Sequence, residues 1–285
     1  MNGSQKDIRG QRPEVGRQKP DGLCSALDIC LPSSVLRRPA TAFTLIELLV
    51  VIGIIAILAA MILAVTNRAK NSASKATDIN NLHQIMIALH TYAGDNADVL
   101  PLVNWDNGHG LNGGAAHRGW LYLPDLTATG TNVYHADTGS LWEFLKQPKI
   151  YLCPMDRPWE PHYSDHDGAV ETRQQQLSSY AMNGAVNGFM YYWEHPDLPY
   201  TKLGAMQPGD CAFWETDETD PWFFNDGANN PKEGVSGRHH QGAIQAQFDA
   251  SVSYVKLDAW YNDVDFTNKN RLWCFPGSSD GRDPE

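Results

Sequence analysis

The chain has 285 residues, 42% of them hydrophobic, and carries 22 Lys/Arg against 33 Asp/Glu for a net charge of −11. That length holds one or two domains plus an anchor. The acidic balance argues against nucleic-acid binding as the main work, because phosphate contacts call for a basic surface. The charge is unevenly spread: residues 1–42 hold seven Lys/Arg and four Asp/Glu, net +3, which leaves 15 against 29, net −14, in the rest. Rich in Arg, Lys, Pro and Gly and without an apolar period, residues 1–42 read as a basic, disordered segment.

Leu48 to Val65 is an apolar run of 18 residues without a charge or a proline. Together with Phe43 to Ile46 it is long enough to cross a bilayer as a helix. Its one ionisable group is Glu47, and a carboxylate at hydrocarbon depth costs about 2.5–3.5 kcal/mol, which marks it as functional and in need of a partner. The plain alternative is a signal peptide or simple anchor. A signal-peptide core spans about 7–15 residues and ends at a small-residue cleavage site; here the run is longer, and the small residue, Ala42, precedes it. Arg37 and Arg38 supply the positive flank that keeps the segment before the run cytoplasmic.

From Asn67 to Ala93 the residues Ala69, Ala73, Ala76, Ile79, Leu82, Met86, Leu89 and Ala93 recur at steps of three and four, an amphipathic helix. Gly94, with Asp95 and Asn96, reads as its stop. Phe43 to Ala93 as one helix would be 51 residues, roughly 75 Å at 1.5 Å per residue. Its first half is apolar all round and its second on one face. That pattern suits a stem that crosses a membrane or packs in a filament core, with its far half seated under a globular head. Gly53 sits where a neighbouring helix could approach closely. His83 and His90 read as ordinary helix-surface residues.

Leu100 to Gly234 reads as a loop-rich insertion. Gly108 to Gly119 is expected to be a surface loop, Trp120 to Leu123 a short strand, Leu141 to Leu145 a short helix capped by Ser140, and Asp210 to Glu215 a core strand. Ile244, Ala246 and Phe248 alternate with Gln245 and Gln247 as a half-buried strand should, and Val252 and Tyr254 alternate with Ser251 and Ser253. A hairpin turning at Asp249-Ala250 follows. Ala is costly in the left-handed geometry of a tight turn, so either the turn shifts toward Ala250-Ser251 or the loop is longer.

Arg37-Arg38-Pro39-Ala40-Thr41-Ala42 followed by Phe43-Thr44-Leu45-Ile46-Glu47 resembles the class III signal of type IV prepilins and type II secretion pseudopilins. The resemblance implies that prepilin peptidase cuts between Ala42 and Phe43 and methylates the new amino terminus, and that Glu47 pairs with the amino terminus of a neighbouring subunit during assembly. Ala42 stands where Gly is usual in the family. The leader is long for this class, so translation is expected to start later, near Val35 or Leu36, if the codons permit.

Asn81-Leu82-His83-Gln84-Ile85 through Tyr92 to Asn96 and Leu100-Pro101 is similar to the prepilin-type proteins abundant in planctomycetes, verrucomicrobia and lentisphaerae. Tyr151-Leu152-Cys153-Pro154-Met155-Asp156 resembles that family's Cys-Pro-x-Asp element, and Ser179-Tyr180-Ala181-Met182-Asn183 its Ser-Tyr-x-x-Asn segment. His239 and Asp249, with nine residues between them, match its processing-associated His-x9-Asp-Gly domain, except that Ala250 replaces the Gly.

Candidate chemistry is sparse. His239, His240 and Asp249 invite a metal or acid/base reading, with a structural role favoured: an Asp that begins a turn can bond its own backbone. No Gly-x-Ser-x-Gly, His-Glu-x-x-His or phosphate-cradling Gly loop is present. His162 and His166, with Asp165 and Asp167, have a ligand-like spacing among turn signals. Asp217, Glu218, Asp220 and Asp226 form an acidic loop that could take calcium, as some pseudopilins do; a solvated loop is the alternative. Cys24 and Cys30 would leave with the leader. Cys153, Cys211 and Cys274 would face an oxidising compartment, where two of the three could bridge. The tryptophans of the later half, Trp193, Trp214, Trp222, Trp260 and Trp273, suit packing better than a sugar platform.

The expectation is an α+β pilin-like subunit: a leader at 1–42, a transmembrane and assembly helix at 43–65, the extracytoplasmic half of the helix at 66–94, and a head at 95–285. The head is expected to be a small antiparallel sheet with long inserted loops, including the hairpin at 238–258. It would be a non-enzymatic filament subunit of the inner membrane, single-pass, with its head in the periplasm or on the cell surface. Its partners would be prepilin peptidase and other pilin or pseudopilin subunits, with calcium the only cofactor in view. The alternatives are a tethered module that binds carbohydrate or another ligand without polymerising, and a tethered hydrolase.

Overall fold

The computed structural model describes residues 43–105, 117–164, 168–189, 201–221, 223–224 and 226–282. The chain divides into two units, Met1–Ile54 and Ile55–Glu285. One helix, α1 (Leu45–Asp95, 51 residues), begins in the first and ends in the second. From Leu45 to Val65 its large apolar side chains are exposed. Beyond residue 73 the same helix buries one stripe, and Leu82, Ile85, Met86 and Leu89 are fully covered, as the three- and four-residue period dictates.

Helix α1 ends at Asp95, inside the Gly94-Asp95-Asn96 stretch expected to stop it. The reversal is made by two left-handed non-glycine residues, Ala97 (φ +55°) and Asp98 (φ +70°). The Asp98 N–H donates to the Ala93 carbonyl at 2.8 Å, and Asn96 Nδ2 donates to the Tyr92 carbonyl at 2.7 Å. The last orphan carbonyls of the helix are thus satisfied without a glycine.

In the second unit α1 is followed by α2 (Trp142–Leu145), β1 (His162–Tyr163), β2 (Val170–Glu171), β3 (Tyr180–Asn183), β4 (Cys211–Glu215), β5 (Ala228–Asn229), β6 (Gly242–Gln247), β7 (Val252–Lys256) and α3 (Leu257–Asp265). Five strands form one sheet in the order β5-β3-β4-β6-β7. All its pairings are antiparallel except β3 with β5, which is parallel. Strands β1 and β2 make a separate antiparallel pair. This is the expected α+β arrangement, a long N-terminal helix followed by a small, largely antiparallel sheet.

The sheet is buried on both faces. Tyr180, Met182, Phe213, Ile244 and Ala246 share one core with Leu82, Ile85, Met86 and Leu89 of α1. Cys211, Trp214, Ala243 and Val255 share a second with Trp260 and Val264 of α3 and Leu272. A bulge in β4 between Cys211 and Phe213 lets Ala212 and Phe213 both face the first core, an irregularity that strand alternation does not anticipate. The expectation of a half-buried β6 is corrected by the second core. Gln245 and Gln247 are covered too, and satisfy their amides on Ser253 Oγ at 3.2 and 3.0 Å.

Other local expectations are also corrected. Trp120, Leu121 and Tyr122 are fully buried but form no strand. They lie where Asn104 donates Nδ2 to the Tyr122 carbonyl and accepts from the Leu121 N–H, so side-chain bonds replace a ladder. Ser140 does not cap α2; Leu141 precedes the helix without a side-chain cap. His90 is half-buried, with Nε2 2.8 Å from the Phe248 carbonyl. Most of the Gly108–Gly119 loop, and the positions of Trp193 and Trp222, lie outside the described residues.

The β6–β7 hairpin takes the longer loop. The Ala250 N–H donates to the Gln247 carbonyl at 2.9 Å, and the Gln247 N–H to the Ser251 carbonyl at 2.9 Å. Ala250 stands left-handed at φ +66°. Phe248-Asp249-Ala250 is therefore a three-residue connection with Ala where such turns favour Gly. The left-handed region costs a non-glycine residue about 1–2 kcal/mol, against about 0.5–1 kcal/mol for the extra unfolded-state freedom of glycine. Ala250→Gly is therefore expected to stabilise the full-length protein by about 0.5–1 kcal/mol, read as a higher urea midpoint in detergent solution.

Candidate functional site

At the start of α1, Thr44 and Glu47 close on each other. Glu47 Oε2 accepts from the Thr44 N–H at 2.9 Å and from Thr44 Oγ1 at 2.8 Å, and the Glu47 N–H donates to Thr44 Oγ1 at 3.2 Å. This is a capping box, Thr at the cap and Glu three residues on. Its Thr-x-x-Glu spacing before an apolar run was a readable signal that the sequence reading passed over. Phe43 and Glu47 are exposed, and Ala42 lies outside the described residues. By length and composition α1 is able to cross a membrane.

The head carries a second constellation, and it gathers residues that lie far apart in the chain. Asp78 comes from α1 and Cys153 from the Cys-Pro-x-Asp element. Tyr180 opens β3, Glu215 ends β4, and His239 stands before β6. Asp78, Cys153, Glu215 and His239 are all buried. Asp78 Oδ2 lies 2.8 Å from His239 Nε2 and accepts from Cys153 Sγ at 3.1 Å. Asp78 Oδ1 accepts from the Tyr180 hydroxyl at 2.6 Å. Glu215 Oε1 lies 3.3 Å from the same His239 nitrogen, while Glu215 Oε2 accepts from the Ile244 N–H at 2.7 Å. The Met155 N–H donates to Cys153 Sγ at 3.3 Å. One ligand-type atom from each of the four residues lies within 4.8 Å of the others, a donor set able to hold a metal ion.

An ion network adjoins it. Arg173 pairs with Asp156 at 2.6 Å, and Arg238 approaches Asp156 at 2.8 Å and Glu215 at 3.7 Å. Ser179 Oγ donates to Asp156 at 2.7 Å, which gives the Ser-Tyr-x-x-Asn segment its physical content. At its other end, Asn183 Nδ2 donates to the carbonyls of Cys211 and Leu272 at 2.8 and 3.0 Å. Burial would raise the Asp156 pKa, but the Arg238 and Arg173 charges outweigh it and hold the carboxyl below its ordinary range. Burial alone would lower the His239 pKa. The carboxylates of Asp78 and Glu215 beside the ring reverse that and carry the imidazole up to about 9. Burial drives the Cys153 thiol upward, although Arg238 opposes it.

The structure separates the two residues of the His-x9-Asp motif. His239 lies in the buried cluster at one end of β6; Asp249 is exposed in the turn at the other, where its Oδ1 accepts from the Ser251 N–H at 2.8 Å. Asp249 thus bonds the backbone of its own turn. His240 takes a left-handed backbone, φ +55°, and its carbonyl accepts from the Tyr254 hydroxyl at 3.0 Å.

The acidic loop does not gather on one point among the described residues. Asp217 accepts from the Thr219 N–H and hydroxyl at 2.9 and 2.7 Å, Glu218 lies 3.8 Å from Arg238, Asp220 accepts from Ser164 Oγ at 3.1 Å, and Asp226 accepts from the Ala228 N–H at 2.9 Å. His166, Asp165 and Asp167 lie outside the described residues. The expected bridge is not formed: Cys153, Cys211 and Cys274 are free, buried thiols. Each sulfur is engaged elsewhere, Cys153 by Asp78, Cys211 near the Phe213 carbonyl at 3.6 Å, and Cys274 near Asn183 Nδ2 at 3.6 Å.

A family model, the prokaryotic N-terminal methylation motif, matches residues 37–63. No curated protein and no solved structure matches the chain. The motif, with its one long apolar helix, supports a type IV pilin-like protein and fits a single-pass membrane anchor; it points to a structural subunit rather than an enzyme.

Removing one partner from a buried ion network leaves a bare charge behind, at about 3–5 kcal/mol. Asp156→Asn is therefore expected to destabilise the protein by that amount at neutral pH, read as a fall in Tm. Because the folded-state pKa is depressed, the carboxylate contributes above its unfolded value of about 3.9 and ceases to as pH falls through the lower folded value. The Tm gap between wild type and Asp156→Asn should narrow below about pH 4.

Proposed function

We propose that the chain is a structural subunit of a type IV pilus-like or type II secretion pseudopilus filament. The observation that carries this reading is the methylation motif at 37–63, on a helix whose apolar side chains are exposed and whose first turn holds a carboxylate. Prepilin peptidase would cut between Ala42 and Phe43 and methylate the Phe43 amino group. The capping box supports this processing chemically: Thr44 and Glu47 both lie beyond the cut, so the helix start survives it. The intrachain bonds to Glu47 fall on one carboxylate oxygen, Oε2. In the filament Glu47 pairs with the methylated amino terminus of a neighbour. An ammonium and a carboxylate, each costly alone in an apolar medium, offset one another there. The head then lies in the periplasm or on the cell surface, and the helix is held in the inner membrane before extraction.

Intact mass and N-terminal sequencing of protein from native membranes should show a chain beginning at N-methylated Phe43. Glu47→Ala should be processed but should abolish filaments seen by electron microscopy. A chain that keeps residues 1–42, or one that is cut near Ala60 by ordinary signal peptidase, would sink the proposal. Normal processing without filaments under any expression condition would favour a tethered binding module.

A further inference from the structure

We propose that Asp78, Cys153, Glu215 and His239 form a metal site in the head for one zinc-like divalent ion. The argument is geometric. The His239 Nε2 nitrogen can donate one proton, yet two carboxylate oxygens converge on it, Asp78 Oδ2 at 2.8 Å and Glu215 Oε1 at 3.3 Å, with Cys153 Sγ at 3.8 Å. Glu215 Oε1 is buried in a fully covered side chain and accepts no well-formed hydrogen bond. A metal ion serves four such atoms at once where a proton serves one.

The surroundings suit a metal as well. Asp78 is held by Tyr180 through its other oxygen, Glu215 by the Ile244 N–H through its other oxygen, and the Cys153 sulfur accepts the Met155 N–H. Three ligands are thus aimed inward by bonds behind them, as outer-shell partners do in metal centres. One thiolate, one imidazole and two carboxylate oxygens is a mixed set that suits zinc in a tetrahedron, with bonds of about 2.0–2.3 Å. Ligand atoms in such a site stand about 3.3–3.8 Å apart. Four of the six separations are 2.8, 3.1, 3.3 and 3.8 Å, and none of the six exceeds 4.8 Å, so no pair needs to change by more than about 1.5 Å to close on an ion.

Arg238 stands 3.7 Å from Glu215, and carboxylates outside the donor set face its charge, Asp156 at 2.8 Å and Glu218 at 3.8 Å.

The test uses the full-length protein in detergent, with Cys24→Ser and Cys30→Ser, stripped with chelator and titrated with Co²⁺. The expected result is a thiolate-to-cobalt charge-transfer band with tetrahedral visible bands, saturating at one equivalent and bleached by Zn²⁺. The band should vanish in Cys153→Ser and persist in Cys211→Ser. If Cys153→Ser does not fold, X-ray absorption at the zinc edge decides: one sulfur and three N/O neighbours supports the site. A first shell without sulfur, no charge-transfer band in the folded parent protein, or a band that survives Cys153→Ser overturns it.

Discussion

A buried carboxylate on a helix is an expensive object, and the head is arranged around one. Asp78 lies on the same stripe of α1 as Leu82 and Ile85, and is as fully covered as they are. An isolated carboxylate in such a place would be neutralised or expelled. Here separate segments each bring a group to it: the Tyr180 hydroxyl, the Cys153 thiol and the His239 ring. The apolar stripe alone tolerates small rotations and slides, since Leu, Ile and Met are interchangeable at modest cost. The polar contact does not. Turning α1 by one residue swings Asp78 through about 100° and strands a charge. The register of the helix on the sheet is therefore fixed by electrostatics and only then filled by packing.

From Asp78 the network passes outward. His239 also meets Glu215, Glu215 meets Arg238, Arg238 meets Asp156, and Asp156 holds Arg173 and Ser179. The participants come from sequence stretches that lack secondary structure or sit at strand ends. That explains how a loop-rich head with few regular elements keeps a defined core. Buried ion pairs are weak sources of stability compared with apolar substitutes, so the network's contribution is better sought in specificity. On the proposed filament reading, force applied to the stem would reach the head through these contacts as well as through the apolar core.

Much of this was legible in the sequence, for physical reasons that differ between elements. Helix α1 was readable because its period extends over many turns. Strand β4 and the β6–β7 hairpin were readable from composition and alternation. The burial of Trp120 to Tyr122 was foreseeable but not their irregular backbone, because Asn104, far enough away in sequence to be invisible locally, supplies their hydrogen bonds. At the site, Cys153, Asp156, Ser179, Tyr180 and His239 were all marked as motif members without any hint that they meet. Asp78 was overlooked although it interrupts the apolar stripe of α1, and a charge in that position was the available clue. Glu215 closes a core strand, the corresponding clue on β4. Nothing local could show Arg173, whose partner is set by tertiary folding alone.

The distances along the chain between the members of the Asp78 cluster have a kinetic consequence. His239 is 161 residues from Asp78 and Cys153 is 75. Contacts of such span raise contact order and slow folding, because the closure entropy of long loops is spent before their contacts form. The helix, by contrast, is local and forms early. Along the proposed route, the stem would already be lodged in the bilayer while the ribosome was still short of residue 239. For that interval Asp78 would be a solvated charge beside an unfinished fold, a feature that holds the nascent head open until its last partner arrives.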